Sequence, residues 1–148
     1  MVFLPARIQW VCQMNKVRIL LADDHPQFLE IVERLQGPTF EIVGIVGEGH
    51  ALLEAGLILN PDVIVTDISM PVMNGIEAVD ELRKANCTSK IIFLTVHSDP
   101  DFVRACLALG ASGYIFKPRV AIDLLAAIRE ALAGHLFISR FEIEDSYV

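Results

Sequence analysis

At 148 residues, with 53% hydrophobic and 21% charged residues, the chain has the length of one domain with a single compact core. No apolar run approaches the roughly 18 residues that a membrane span requires. The net charge of −7 and the lack of any Lys/Arg cluster exclude a nucleic-acid surface, since such a surface replaces the counterions around phosphates with its own cations.

Residues 1–15 share no period with the rest of the chain and read as a poorly ordered N-terminal extension. The order of charge, apolar stretch and small-residue cleavage site that marks a signal peptide is missing from them. The first strand-like run is "VRILLA" (17–22), and Asp23 and Asp24 follow it back to back. His25 stands before Pro26, a favoured first helical residue, so helix initiation explains this histidine better than metal binding. Phe28, Ile31, Val32 and Leu35 then recur at i, i+3, i+4, i+7, one face of a helix.

Further strand-like runs are "EIVGIVG" (41–47), "DVIVTD" (62–67), "KIIFLTV" (90–96) and "GYIFK" (113–117). Most lack polar/apolar alternation, which is the mark of strands buried on both faces of a parallel sheet. Phe102, Ala105, Cys106 and Leu109 form a fourth helical stripe, and Leu125, Ile128 and Leu132 a fifth, with Gly110 and Gly134 placed as left-handed caps. The pattern is an α/β fold, (βα)5, with helices on both faces of a doubly wound parallel sheet. Cys12, Cys87 and Cys106 are odd in number and lack ligand spacing, so reduced cytoplasmic thiols that serve packing are expected.

In such sheets function gathers at the carboxyl ends of the strands. Asp23 and Asp24, Asp67, Thr95 and Lys117 all map to that rim, at the ends of strands one, three, four and five. Paired acids alone are often solvated turn residues. Three carboxylates held together are different: a unit pair 4 Å apart repels by about 4 kcal/mol at an effective dielectric of 20, so cations must stand between them. Lys117 is one. A cluster of hard oxygens also suits Mg²⁺, which keeps several waters and bridges phosphoryl oxygens. A carboxylate beside Mg²⁺, a lysine and a hydroxyl is equipped to attack a phosphoryl donor, with Asp67 as nucleophile.

"LLADDHP", "VIVTDISMPVMNG", "IIFLTVHSD" and "GYIFKP", in this order and spacing, resemble a response-regulator receiver domain over residues 16–134. The finer sequence is similar to receivers that precede a LuxR- or NarL-type helix-turn-helix in transcription regulators. The resemblance implies a flavodoxin-like sheet of order 2-1-3-4-5, and a phosphorelay in which Asp67 takes a phosphoryl group from a sensor histidine kinase. It implies Mg²⁺ held by Asp24, Asp67 and the Ser69 carbonyl, with Asp23 holding a metal-bound water. Lys117 would pair with Asp67 and then the phosphate, Thr95 would hydrogen-bond a phosphoryl oxygen, and Tyr114 would be the aromatic switch behind it. Ser69 and His97 would tune phosphate lifetime, and Lys117–Pro118 would be a cis peptide bond.

The readout implied is the face of helix four, strand five and helix five, which controls an output partner or forms a homodimer. Residues 135–148 are too short for a DNA-binding domain and read as a tail or linker remnant, of a stand-alone receiver or one cut from a longer transcription factor. Two other classes compete. One is a receiver-fold binding module that works without phosphorylation. The other is a phosphohydrolase, which would want a second acid two residues after its nucleophile, where this chain has Ser69. No enzymatic turnover beyond Mg²⁺-dependent self-phosphorylation and self-dephosphorylation is expected, and no organic cofactor.

Overall fold

The computed structural model describes residues 16–35, 37–96 and 99–140; the expected extension at 1–15 and His97 lie outside them. The strands are β1 (Val17–Ala22), β2 (Phe40–Val46), β3 (Val63–Asp67), β4 (Lys90–Thr95), β5 (Gly113–Phe116) and β6 (Phe137–Ile138). The helices are α1 (Pro26–Leu35), α2 (Gly49–Leu59), α3 (Gly75–Lys84), α4 (Pro100–Ala108) and α5 (Val120–Leu132), with a 3-10 turn at Lys117–Arg119 before α5. All neighbouring strands are parallel, in the order β2-β1-β3-β4-β5-β6. The expected five-strand order is therefore present and extended by one strand.

The unbroken apolar runs have the cause inferred from them. Every residue of β3 is buried, as are five of the six in β4, because helices cover both faces. Ile19, Leu21, Val63, Val65, Ile92 and Leu94 point to a core closed by Phe28 and Val32 of α1 and by Leu124, Ala127, Ile128 and Ala131 of α5. Their neighbours Leu20, Ile64, Ile91 and Phe93 point to the opposite core, against Leu52 of α2, Ala78, Val79 and Leu82 of α3 and Cys106 of α4. The chain reverses direction across the sheet between β1 and β3, so the crevice at their carboxyl ends is where a site belongs.

Both predicted glycine caps are left-handed, Gly110 at φ 75° and Gly134 at φ 84°. Beyond them Ala111 N–H donates to the Cys106 carbonyl at 3.2 Å, and His135 N–H to that of Glu130 at 2.8 Å, the two-sided closure of a Schellman motif. Asn86, at φ 65°, ends α3 in the same way, with Cys87 N–H donating to Leu82 at 3.0 Å. Arg83 locks two of these ends together: its guanidinium donates to the carbonyls of Cys87 (2.8 Å), Ser89 (2.9 Å) and Leu109 (3.1 Å). Arg83→Met keeps the stem but strips those acceptors. It is expected to cost about 2 kcal/mol, read as a lower urea midpoint with unchanged slope.

Cys106 is fully buried, and burial alone pushes its thiol up to about 12. Since the thiolate is the reactive form, Cys106 should resist alkylation at pH 8 in the folded protein and react once urea unfolds it, which mass mapping of the peptide would show.

Two findings depart from expectation. Phe137 and Ile138, beyond the tail boundary at 134, pair with Gly113 and Tyr114 of β5. Ser139 is buried there and donates to Asp123 of α5 at 2.6 Å, while Arg119 holds the same carboxylate at 2.9 Å. The open edge of β5 accounts for this, since it offers carbonyl acceptors to an extended apolar segment. Among the described residues no peptide bond is cis, so Lys117–Pro118 is trans: Phe116 leaves β5 at φ −73°, ψ 119° and the chain turns at once into the 3-10 turn. No helix among the described residues is long and apolar enough to cross a membrane.

Candidate functional site

The site is assembled from strand ends. Asp23 and Asp24 leave β1, Asp67 closes β3, Thr95 closes β4, and Lys117 follows β5. The register sets Asp67 beside Leu94 and Thr95 beside Phe116, so Thr95 on β4, one residue further along, and Lys117, just after β5, reach the same rim as Asp67. Lys117 Nζ lies 2.8 Å from Asp67 Oδ2 and 2.8 Å from Asp23 Oδ2, so one ammonium bridges two buried acids. Asp24 is the exposed member, its side chain 41% accessible against 5% for Asp67. The loop after β3 is held close: Ser69 N–H donates to Asp67 Oδ1 at 3.2 Å and Gly75 N–H to the Ile68 carbonyl at 2.8 Å. Asn74 and Glu77 then start α3 with a capping box, each side chain accepting from the other's backbone N–H.

Burial raises the Asp67 carboxyl above its ordinary range, Lys117 opposes that, and the neighbouring charge of Asp23 adds to it. Burial works to lower Lys117, but its contacts with Asp23 and Asp67 outweigh it and the ammonium is held more firmly than usual. Three carboxylates against one ammonium leave two negative charges unanswered. Asp23 Oδ2 is buried without an aligned hydrogen-bond donor; the ammonium 2.8 Å away is a charge contact. This donor set fits a divalent cation, and Asp23, Asp24 and Asp67 are the residues placed to hold one.

Tyr114 is fully buried on β5, its hydroxyl hydrogen-bonded to the side chain of Thr95; burial pushes the pKa of that hydroxyl above its ordinary value and the bond partly offsets the rise. Sequence reasoning missed two contacts. The His25 carbonyl does start α1, accepting from Phe28 and Leu29 N–H, but its ring also reaches the acids, with Nδ1 2.9 Å from Asp23 Oδ1. Lys117 Nζ sits 5.4 Å over the Phe28 ring, a cation–π contact. Only the adjacency within "DDHPQF" hinted at either.

The model of the response regulator receiver domain matches residues 19–129. The chain belongs to this receiver family. The receiver is 37% identical over 126 residues to the transcriptional regulatory protein DegU of Brevibacillus brevis, covering 84% of this chain and 53% of that protein. It is 37% identical over 123 residues to the nitrate/nitrite response regulator NarL of Escherichia coli K12, covering 82% and 57%. Among solved structures it superposes on the signal receiver domain of the putative response regulator NarL from Mycobacterium tuberculosis with TM-score 0.75 at 30% identity, covering 82% of this chain and 99% of that one. The non-phosphorylated receiver domain of Escherichia coli RcsB gives TM-score 0.78 at 27% identity, covering 85% and 100%. The receiver thus spans little more than half the length of those curated relatives, and its kin are two-component response regulators of the LuxR/NarL type, a class that regulates transcription.

Proposed function

We propose that this receiver is the phosphoacceptor switch of a two-component phosphorelay, working in the cytoplasm. The observation that carries the reading is Lys117 bridging Asp67 and Asp23 at 2.8 Å inside a cluster with two uncompensated negative charges. An Asp67 oxygen attacks the phosphorus of a kinase phosphohistidine, the P–O bond forms as the P–N bond breaks, and the imidazole leaves with the electron pair. Mg²⁺, held by Asp24, Asp67 and the Ser69 carbonyl, would supply charge neutralisation on the phosphoryl oxygens; Asp23 would orient a water on it. Lys117 keeps its ammonium at the carboxylate that becomes the acyl phosphate. Thr95 donates its hydroxyl to a phosphoryl oxygen, which takes it from Tyr114 and couples the site to β5. Ser69 and His97 flank the acceptor and threonine positions and set how fast water removes the phosphate.

An open groove beside Lys117, lined by Gln27, Phe28, Ile31, Val96 and Pro118, offers the kinase helix an apolar seat. On the output side Phe102 and Leu107 of α4 and Ile122 of α5 are exposed, which supports docking of a partner or a second copy through the α4/β5/α5 face. The Salmonella RcsB receiver studied with the phosphomimetic BeF₃⁻ is a relative in which such a mimic was used. In a longer chain, the controlled partner would be a DNA-binding domain, and this receiver would not touch DNA itself.

The test is intact mass after incubation with Mg²⁺ and acetyl phosphate. One phosphoryl unit is expected on the wild type and none on Asp67→Asn. Phosphorylation that persists in Asp67→Asn would sink the assignment, and a folded wild type that neither acetyl phosphate nor a kinase labels would favour a module acting without phosphorylation.

A further inference from the structure

The strand order gives β2 a neighbouring strand, β1, on one side only among the described residues. Its sequence, FEIVGIV, carries one charge and neither proline nor lysine, so it lacks the devices that blunt an open sheet edge. Apolar surface flanks that edge on both faces. Beside α1, Glu33, Ile42, Val43 and Ile45 line an open groove, and Ile45 is 41% exposed. On the α2 side Ala51, Ala55 and Ile58 line another, with Ile58 73% exposed; Leu59 of the same helix packs beside Gly44 of β2.

Residues 7–14, RIQWVCQM, place Ile8, Trp10, Cys12 and Met14 at every second position with Arg7, Gln9 and Gln13 among the residues between, the period of a strand buried on one face. We propose that this segment adds to the outer edge of β2 as an antiparallel strand, so that the chain closes its own open edge and fills the flanking grooves. The direction follows from the connection. β1 begins at Val17, so the segment must end beside the amino ends of the parallel strands and run against β2. An antiparallel edge strand on an otherwise parallel sheet is a common arrangement. Reach selects the edge: the three steps from Met14 to Val17 span about 10 Å, and a strand outside β2 lies two strand spacings, about 9.6 Å, from β1. A place outside β6 would be five spacings away, about 24 Å. Length agrees as well, since residues 7–14 extend about 27 Å and the 7 residues of β2 about 23 Å. So does charge: residues 1–14 hold no acid and carry Arg7, while Glu33 and Glu41 stand exposed at this edge.

Trp10 is the one tryptophan of the sequence, so fluorescence of the full chain reads its surroundings without any substitution. Its emission is expected to lie to the blue of that of the urea-unfolded chain, with severalfold weaker quenching by acrylamide. Ile45→Glu puts a charge into the groove at an already exposed position and should return both readings toward the unfolded values. Ile122→Glu, at an exposed position of α5, should change neither. Place is read separately by oxidising Glu41→Cys, Ile42→Cys and Val43→Cys, each of which offers Cys12 a partner on β2, since a disulfide needs Cα atoms within about 7 Å. At least one of the three is expected to form an intrachain bond to Cys12, found by non-reducing peptide mapping, and Ile122→Cys none. Trp10 emission and quenching equal to those of the unfolded chain would overturn the proposal. A shielded Trp10 indifferent to Ile45→Glu, with no Cys12 bond to β2, would overturn it by placing the segment elsewhere. A Cys12 bond found only between two chains would overturn it by making a second copy the occupant. No phosphodonor or cation enters these readings, so the outcome is independent of whether acetyl phosphate labels Asp67.

Discussion

Asp67→Asn is expected to raise the melting temperature at pH 7 while removing the phosphoacceptor. Asp67 and Asp23 are both buried and share one ammonium at 2.8 Å, so their mutual repulsion and desolvation are only partly answered. Removing one partner of a buried pair ordinarily strands the other charge, but here Lys117 keeps Asp23. Replacing a whole buried ion pair by apolar residues is often neutral or stabilising by about 1–4 kcal/mol; relief of one surplus carboxylate is expected at the low end of that range, and about 2–4 °C of melting temperature accompanies each kcal/mol at this size.

The sign comes from the raised Asp67 carboxyl. The folded protein holds that proton more tightly than the unfolded chain, so the associated stability is full below the unfolded value near ~3.9 and is lost as pH rises through the folded value. Above it, the ionised carboxylate is a net cost that Asn removes. Thermal scans should therefore show the gain at pH 7 and little of it in acid, and saturating Mg²⁺ should stabilise wild type by mass action until it overtakes the variant. A wild type more stable than Asp67→Asn at pH 7 without Mg²⁺ would show the ion pair with Lys117 to outweigh the crowding of acids.

What was legible in the sequence were the features with local causes. β1 matched its predicted run residue for residue and the other four strands lay within one residue at either end, because burial on both faces forces unbroken apolar runs. Gly110 and Gly134 stopped their helices because a left-handed residue there is a local demand. Spacing along the chain brought Asp23, Asp24, Asp67 and Lys117 to one rim, since parallel strands put all their carboxyl ends on one side. Less legible were features made by neighbours distant in sequence. The stripe Phe102, Ala105, Cys106, Leu109 announced a helix correctly, yet in α4 only Cys106 is buried and Phe102 remains 37% exposed. β6 is two residues long and exists only because β5 leaves an edge open. Arg83 looked like one more surface cation; its three short contacts span up to 26 positions. The ring of His25 joins the acids through the turn out of β1, which no pattern of residue types encodes.

Gly75 carries the second large effect. A Cβ on it would stand 2.1 Å from the Asp67 carbonyl oxygen and 3.1 Å from the Thr66 hydroxyl oxygen. The first obstacle is backbone of a fully buried strand, so nothing flexible is available to yield, and Gly75→Ala must push α3 away from β3 or drag Asp67 with it. Overpacking of this kind costs about 3 kcal/mol, or roughly 10 °C. The chemical consequence is larger, because Asp67 must keep its carboxylate against Lys117 and the Ser69 N–H: displacement by about 1 Å lowers the rate of labelling by acetyl phosphate on the order of 100-fold. Gly134→Ala separates strain from geometry. Its φ of 84° strains alanine, yet no atom lies within 4 Å of the new Cβ, so it should cost about 1 kcal/mol and leave labelling untouched. Gly37→Ala, in open space without that strain, should change neither. Equal labelling rates for Gly75→Ala and Gly37→Ala would mean that the loop after β3 adapts without moving the acceptor, and that the closeness of α3 to Asp67 serves packing alone.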